Sequence, residues 1–245
     1  MRIVVAGATG RTGREVLAVA RERGHAVDGV ATTETAVDGV DVRPADELAD
    51  RLADADALVD FTVPEASRSH AGMAADAGVA YVVGTTGFNQ QGTADLRGAA
   101  DRIPVLKASN FARGVQALLD AVADVVRTLD GYDIELTETH HNGKRDAPSG
   151  TATTLLDRID AVVDDLDRTY GREGHQPRGN GEVGVHVRRA GNVRGEHELL
   201  LAGNDEVVTL THRAESRRVF AAGAVDAAEW LVGRDPGWYN FADAL

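Results

Sequence analysis

The chain has no cysteine, so disulfides and thiolate metal ligands are both excluded. Lysine is almost missing: of 26 basic residues only Lys107 and Lys144 are lysines. Aromatic residues make up 4% of the sequence, and there are six prolines. No apolar run approaches the length that spans a membrane. Met1-Arg2 leads straight into a buried-looking strand without a secretory pattern, so a cytoplasmic enzyme is the default expectation. Positive charge is also short, with 26 basic against 39 acidic residues and a formal net charge of −13. That balance disfavours nucleic acid, whose binding needs a basic patch. Abundant Asp, small side chains and scarce lysine fit adaptation to a salt-rich cytoplasm, where ions screen such self-repulsion.

What is present is organised as two patterns. The first alternates strand and helix. Ile3–Ala6, Val27–Ala31, Leu58–Thr62, Val79–Val83 and Ile103–Leu106 read as strands, and Arg14–Arg23 and Ala66–Ala77 as helices. Such alternation predicts right-handed crossovers and a parallel sheet. In the second, Val115–Leu129 and Ser149–Leu166 read as helices, and Tyr132–Thr139, Val183–Ala190, Glu196–Ala202 and Glu206–Arg213 as strands joined by short turns. Gly171–Gly181 is glycine-rich and irregular, and Val219–Val232 returns to a helix before a short tail. The expected fold is α/β: a Rossmann-like parallel-sheet domain over 1–111 and a smaller α+β substrate domain with a mixed sheet over 112–215. A C-terminal helix, 216–245, rejoins the first.

Gly7-Ala8-Thr9-Gly10-Arg11-Thr12-Gly13 lies between the first strand and the first helix. Glycines there permit a tight turn and close approach of a pyrophosphate to helix N–H groups. At the end of the second strand, Glu34 is placed to chelate a ribose, whereas Thr32 and Thr33 are placed to hydrogen-bond a 2′-phosphate. No Arg lies within that loop, and both NADH and NADPH stay open as cofactors. Gly84-Thr85-Thr86 and Ala108-Ser109-Asn110-Phe111 follow later strands, at the ends where open α/β sheets place ligands.

The stretch Glu138–Ala152, ETHHNGKRDAPSGTA, carries the densest chemistry. His140 and His141 end a strand, Asn142-Gly143 turns the chain, and Lys144 offers a movable point charge. Ser149-Gly150-Thr151 opens a helix whose N–H groups suit a carboxylate. A histidine supplies a proton near neutral pH, as reduction of a C=N or conjugated C=C requires. Together these describe an anionic substrate beside a proton donor. No metal site is expected, because His140 and His141 lack an i, i+4 partner and the other histidines are scattered.

These segments, with VDFT (59–62), GTTGF (84–88), ASNFARGV (108–115), VRRAGNVRGEH (187–197) and THRAESRRVFAAGAVDAA (211–228), resemble the 4-hydroxy-tetrahydrodipicolinate (dihydrodipicolinate) reductase family over nearly the whole chain. The resemblance implies NADPH- or NADH-dependent reduction of a cyclic dicarboxylate in the diaminopimelate route to lysine, by a homotetramer assembled through the mixed sheet. It implies His140 as proton donor and Lys144 as a second donor or stabilising charge. His141, Ser149, Gly150 and Thr151 would be substrate contacts. Gly7 to Thr12, Thr33, Glu34, Gly84 to Thr86 and Ala108 to Phe111 would be nucleotide contacts.

Overall fold

The computed structural model describes residues 1–164 and 166–245. The chain divides into two compact units: Met1–Ala112 with Arg217–Leu245, and Arg113–Ser216.

From the N-terminus run β1 (Arg2–Ala6), α1 (Arg11–Glu22), β2 (Ala26–Ala31), β3 (Thr35–Val37), β4 (Val40–Pro44), α2 (Leu48–Leu52), β5 (Ala57–Asp60), α3 (Pro64–Ala77), β6 (Ala80–Val83), α4 (Gln90–Ala100) and β7 (Pro104–Lys107). Helix α3 begins at Pro64, two residues before the sequence pattern predicts. Proline is favoured at this first helical position because its missing N–H would be unpaired there anyway. The hairpin β3–β4, absent from the sequence reading, turns on Asp38 and Gly39, both at positive φ (49° and 80°). Its strands are too short for alternation to reveal them.

The second unit holds α5 (Arg113–Thr128), β8 (Asp133–His140), α6 (Gly150–Asp160), β9 (Asp167–Tyr170), β10 (Glu182–Arg189), β11 (Glu196–Gly203) and β12 (Glu206–Arg213). Here the predicted helix Ser149–Leu166 is corrected: α6 ends at Asp160, and the chain goes on into β9, which pairs parallel with β10. Asp165 lies outside the described residues. The sheet order is β12-β11-β8-β10-β9, with β8, β9 and β10 parallel and β11 antiparallel to both neighbours. Helix α5 packs along α6 and against β12.

The chain closes with α7 (Arg218–Leu231) and β13 (Gly237–Tyr239), which complete the first unit. Its sheet runs β13-β7-β6-β5-β1-β2-β4-β3, parallel except for the β3–β4 pair. Two apolar cores sandwich it. Val16, Leu17 and Ala20 of α1 join Ala224, Val225 and Ala228 of α7 on one face. Leu48, Leu52, Ala71, Ala74 and Leu96 of α2, α3 and α4 fill the other. The strand order reverses at β1 and β5, the topological position at which open α/β sheets bind ligands. Among the described residues, no helix is long and apolar enough to cross a membrane.

Candidate active site

At the carboxyl ends of β1, β5 and β6 lies a cleft of about 360 Å³, lined by Gly10, Arg11, Thr12, Thr62, Thr85 and Arg217 among others. Gly7 holds φ +79°, and a Cβ there would lie 2.5 Å from the Phe61 carbonyl oxygen. A Cβ on Gly13 would lie 2.2 Å from the Gly7 carbonyl oxygen, so the turn and the first helical residues pack at a distance only glycine allows. Gly10 leads into α1 with no side-chain capping bond. The helix start therefore presents backbone N–H groups, which favour a bound anion. Asp60, fully buried at the end of β5, accepts from the Thr62 N–H (2.9 Å), the Thr62 hydroxyl (2.6 Å) and the Thr85 hydroxyl (3.1 Å) beneath this cleft.

Thr33 and Glu34 are exposed beyond the end of β2. The sequence shows no arginine in that loop, yet Glu34 pairs with Arg43 at 2.6 Å. Parallel pairing of β2 with β4 sets Arg43 beside Val30 and so brings it there from outside the loop. Of the 108–111 stretch, Asn110 Oδ1 accepts from the Ala112 N–H (2.8 Å). Phe111 is buried edge-on between Phe61 and Phe241, which leaves its backbone rather than its ring to face a ligand. Lys107 lies half-buried near the Phe88 ring, and burial lowers its pKa from the usual lysine value.

In the second unit the site grows from the end of β8. Alternation puts Ile134, Leu136, Glu138 and His140 on one face, the first two buried among apolar groups. Glu138 is fully buried there, and four donors satisfy its carboxylate. His140 Nδ1 bonds to Oε2, the Ser149 N–H reaches Oε1 at 3.1 Å, and the Arg189 guanidinium reaches both oxygens, at 3.0 and 2.8 Å. Arg189 also donates to the Asp146 carbonyl at 2.6 Å. Burial by itself would raise the Glu138 pKa. The bonds and charges of His140 and Arg189 outweigh it and hold the carboxyl at about 2.

His197, set opposite Glu138 by the β8–β11 register, lies within 3.0 Å of the Ser149 hydroxyl, and its ring meets His140 edge-on at 5.2 Å. Burial, then the neighbouring His140, push its pKa down to about 3. Lys144 sits on the turn closed by its N–H to the His141 carbonyl (3.1 Å), and its ammonium meets Asp146 at 2.8 Å. Ser149 caps α6 by accepting from the Ala152 N–H at 3.2 Å. Its hydroxyl is buried and committed to the cap and to His197, whereas Gly150 stands exposed at the helix start.

The structure thus gathers His140, His141, Lys144, Ser149, Gly150 and Thr151 on one strand end, turn and helix start. It adds Glu138, Arg189 and His197, which sequence reasoning did not single out. A charged residue at an apolar-face position of β8 was the available signal for Glu138. Arg189 and His197 come from other strands, and nothing local marks them. Thr62 and Arg217 are likewise additions at the cleft.

A parallel sheet with a glycine turn at its switch point, joined to an α+β unit bearing an oriented histidine, defines a two-unit oxidoreductase of Rossmann type. The family models described as "Dihydrodipicolinate reductase, N-terminus" and "Dihydrodipicolinate reductase, C-terminus" match residues 1–111 and 114–245. The chain belongs to the dihydrodipicolinate reductase family. It is similar to the 4-hydroxy-tetrahydrodipicolinate reductase of Natronomonas pharaonis, 67% identical with both chains covered in full. That of Haloarcula marismortui is 54% identical over all of this chain and 98% of its own. Among solved structures, a dipicolinate-bound dihydrodipicolinate reductase from Paenisporosarcina sp. TG-14 shares the fold at a TM-score of 0.76 and 19% identity, covering 98% and 97% of the two chains.

Proposed function

We propose that the chain reduces 4-hydroxy-tetrahydrodipicolinate to tetrahydrodipicolinate with NADPH or NADH, in the diaminopimelate route to lysine. The observation that carries this reading is the buried Glu138 carboxylate orienting His140 next to Lys144 and the α6 start, in a chain that matches the family from end to end.

The residues of the first unit suit a dinucleotide, since the packed Gly7–Gly13 turn and the uncapped start of α1 leave room and N–H groups for a pyrophosphate. Gly7, Ala8, Thr9, Gly10, Arg11 and Thr12 would hold it. Thr33 and Glu34 would take the adenosine ribose, with Arg43 a cation within reach of a 2′-phosphate. Gly84, Thr85 and Thr86, with the backbone of Ala108, Ser109, Asn110 and Phe111, would face the nicotinamide end. When bound, the reduced nicotinamide supplies hydride.

His140 supplies the proton. Glu138 accepts from Nδ1, which fixes the ring's orientation and leaves Nε2 as the atom that gives its proton to the substrate. Lys144 meets one substrate carboxylate, because its partner Asp146 is exposed and readily yields the ammonium. The N–H groups at Gly150 and Thr151 take the other carboxylate, with His141 beside them. Ser149 serves by holding the helix start in place. Two anchored carboxylates fix which ring carbon faces the incoming hydride.

We place the chain in the cytoplasm as a homotetramer. The face of the second sheet opposite His140 would form the contact between copies; it carries Thr137, His186, Glu198 and Thr211, all half-exposed or exposed.

The test is oxidation of reduced nucleotide by the purified chain with freshly generated cyclic substrate, comparing both nucleotides across salt. Turnover on the ring compound is expected. Good turnover only on an open-chain amino dicarboxylate would favour a different dehydrogenase. His140→Ala should lose about 10²-fold or more in turnover while nucleotide affinity is kept, the effect of removing a positioned proton donor.

A further inference from the structure

Beneath the cleft of the first unit lies a buried polar cluster for which the proposed reaction has no use. Asp60 is fully buried, and its neighbours Ser67, His70 and Tyr81 are buried with it. Besides the three bonds from Thr62 and Thr85 to Oδ1, Oδ2 accepts from Tyr81 OH (2.7 Å) and His70 Nδ1 (2.8 Å). The carboxylate therefore receives five hydrogen bonds, which form a ring of donors. Burial would raise its pKa, but the bonds from His70, Thr62 and Tyr81, with the His70 charge, hold it below the usual aspartate value.

An ionised carboxylate only accepts hydrogen bonds. Each threonine hydroxyl has a single proton, and both protons point down to Oδ1. Thr85 Oγ1 further accepts from the Thr62 N–H at 3.0 Å. The Ser67 hydroxyl lies 3.3 Å from Thr62 Oγ1, so neither threonine hydroxyl has a proton left to give and each oxygen keeps one lone pair. Both residues line the cleft. This wall therefore suits a ligand's N–H and O–H groups and disfavours phosphate oxygens. The N–H groups at Arg11 and Thr12, with the Arg11 and Arg217 cations, form the opposite, anion-seeking side.

We infer that Asp60 is a positioning residue: by drawing the Thr62 and Thr85 protons inward it makes them acceptors for the amide and hydroxyl groups of the nicotinamide-riboside half of the dinucleotide. The inference rests on the nucleotide reading proposed above.

Asp60→Ala tests it, because without the carboxylate nothing draws the two threonine protons inward and they are free to turn towards the cleft. Dissociation constants are measured by calorimetry for whichever of NADH and NADPH the unaltered chain binds more tightly. They are measured also for ADP, which lacks the nicotinamide riboside. The expected result is a loss of about tenfold or more for the dinucleotide, equal to about 1.4 kcal/mol, with ADP affinity kept within about twofold. Thr85→Val should reproduce this selective loss and Thr85→Ser should restore binding, since only the hydroxyl is at issue. Equal losses for dinucleotide and ADP, or no loss for either, would overturn the inference. If Asp60→Ala gives no cooperative melt, Thr85→Val and Thr62→Val decide by the same two comparisons. An unaltered chain that binds neither dinucleotide would instead sink the nucleotide reading itself.

Discussion

Glu138 occupies a position on β8 that alternation reserves for core side chains, and it is charged there. A buried carboxylate is tolerable only when its acceptor sites are filled, and Arg189, His140 and the Ser149 N–H fill them. Glu138→Gln removes the charge opposite Arg189 and should destabilise the chain by on the order of 3 kcal/mol, the scale for breaking a buried ion pair. Turnover should fall about 10²-fold, because the amide no longer holds the His140 ring in one orientation. Steady-state kinetics with denaturant titration would check both; unchanged turnover would contradict the orienting role. His197 makes a second residue-scale prediction. Its pKa is about 3 in the fold against an ordinary 6.5. Its contribution to stability is thus complete above pH 6.5 and is lost as pH falls from there towards 3, while the unfolded chain takes up a proton the fold refuses. Glu138 adds a loss in the same direction, from about 4.5 down to about 2. Urea midpoints should begin to fall below pH 6.5 in the intact chain. His197→Gln should flatten that first part of the slope by about one proton, roughly 1.4 kcal/mol per pH unit.

At the scale of elements, the approach to His140 is set by a loop. Gly195 precedes β11 at φ +149°, and a Cβ there would sit 3.1 Å from His140 Nε2, the atom assigned to proton delivery. Gly195→Ala should cost about 1–3 kcal/mol of stability through its backbone conformation. Its methyl group would also crowd Nε2, so kcat/KM should drop more than about tenfold, or 1.4 kcal/mol of barrier. Nucleotide affinity should stay unchanged, because Gly195 belongs to the second unit. A melt, a kinetic run and a nucleotide titration on the same preparation would separate these effects. Element starts were legible in part: Ser149 marks the start of α6, whereas α3 was read from Ala66 although Pro64 already opens it. The hairpin β3–β4 and the strand β9 were not. Three to five residues diluted with Asp and Arg give too few alternations to stand out, and those strands are held by neighbours rather than by their own pattern.

Across the whole molecule, charge dominates. The −13 charge repels itself, while many ion pairs, such as Arg68–Asp95, Arg102–Asp76 and Arg218–Glu22, are exposed on at least one side. Exposed pairs contribute at most about 1 kcal/mol each, and salt weakens them. Salt also shortens the screening length from about 10 Å at 0.1 M to about 3 Å at 1 M, which relieves repulsion everywhere at once. The second effect should win. Unfolding midpoint and activity should both rise over that range. A stability maximum at the low-salt end, read from melts at stepped KCl, would count against it.

The sequence alone determined the class of fold, the glycine turn and the stretch Glu138–Ala152, because each is written in residues close together in the chain: Gly7 turns at φ +79°, and Gly13 packs against the Gly7 carbonyl. Tertiary structure decided what those residues do. Arg189 and His197 meet Glu138 only through the registers of β10 and β11 with β8. Arg43 reaches Glu34 only because β4 pairs with β2, and Asp60 finds distant donors in His70 on α3, Tyr81 on β6 and Thr85 just beyond β6. Sheet register and buried hydrogen bonding join residues far apart in sequence, and no local pattern encodes which distant donor will fill a given acceptor.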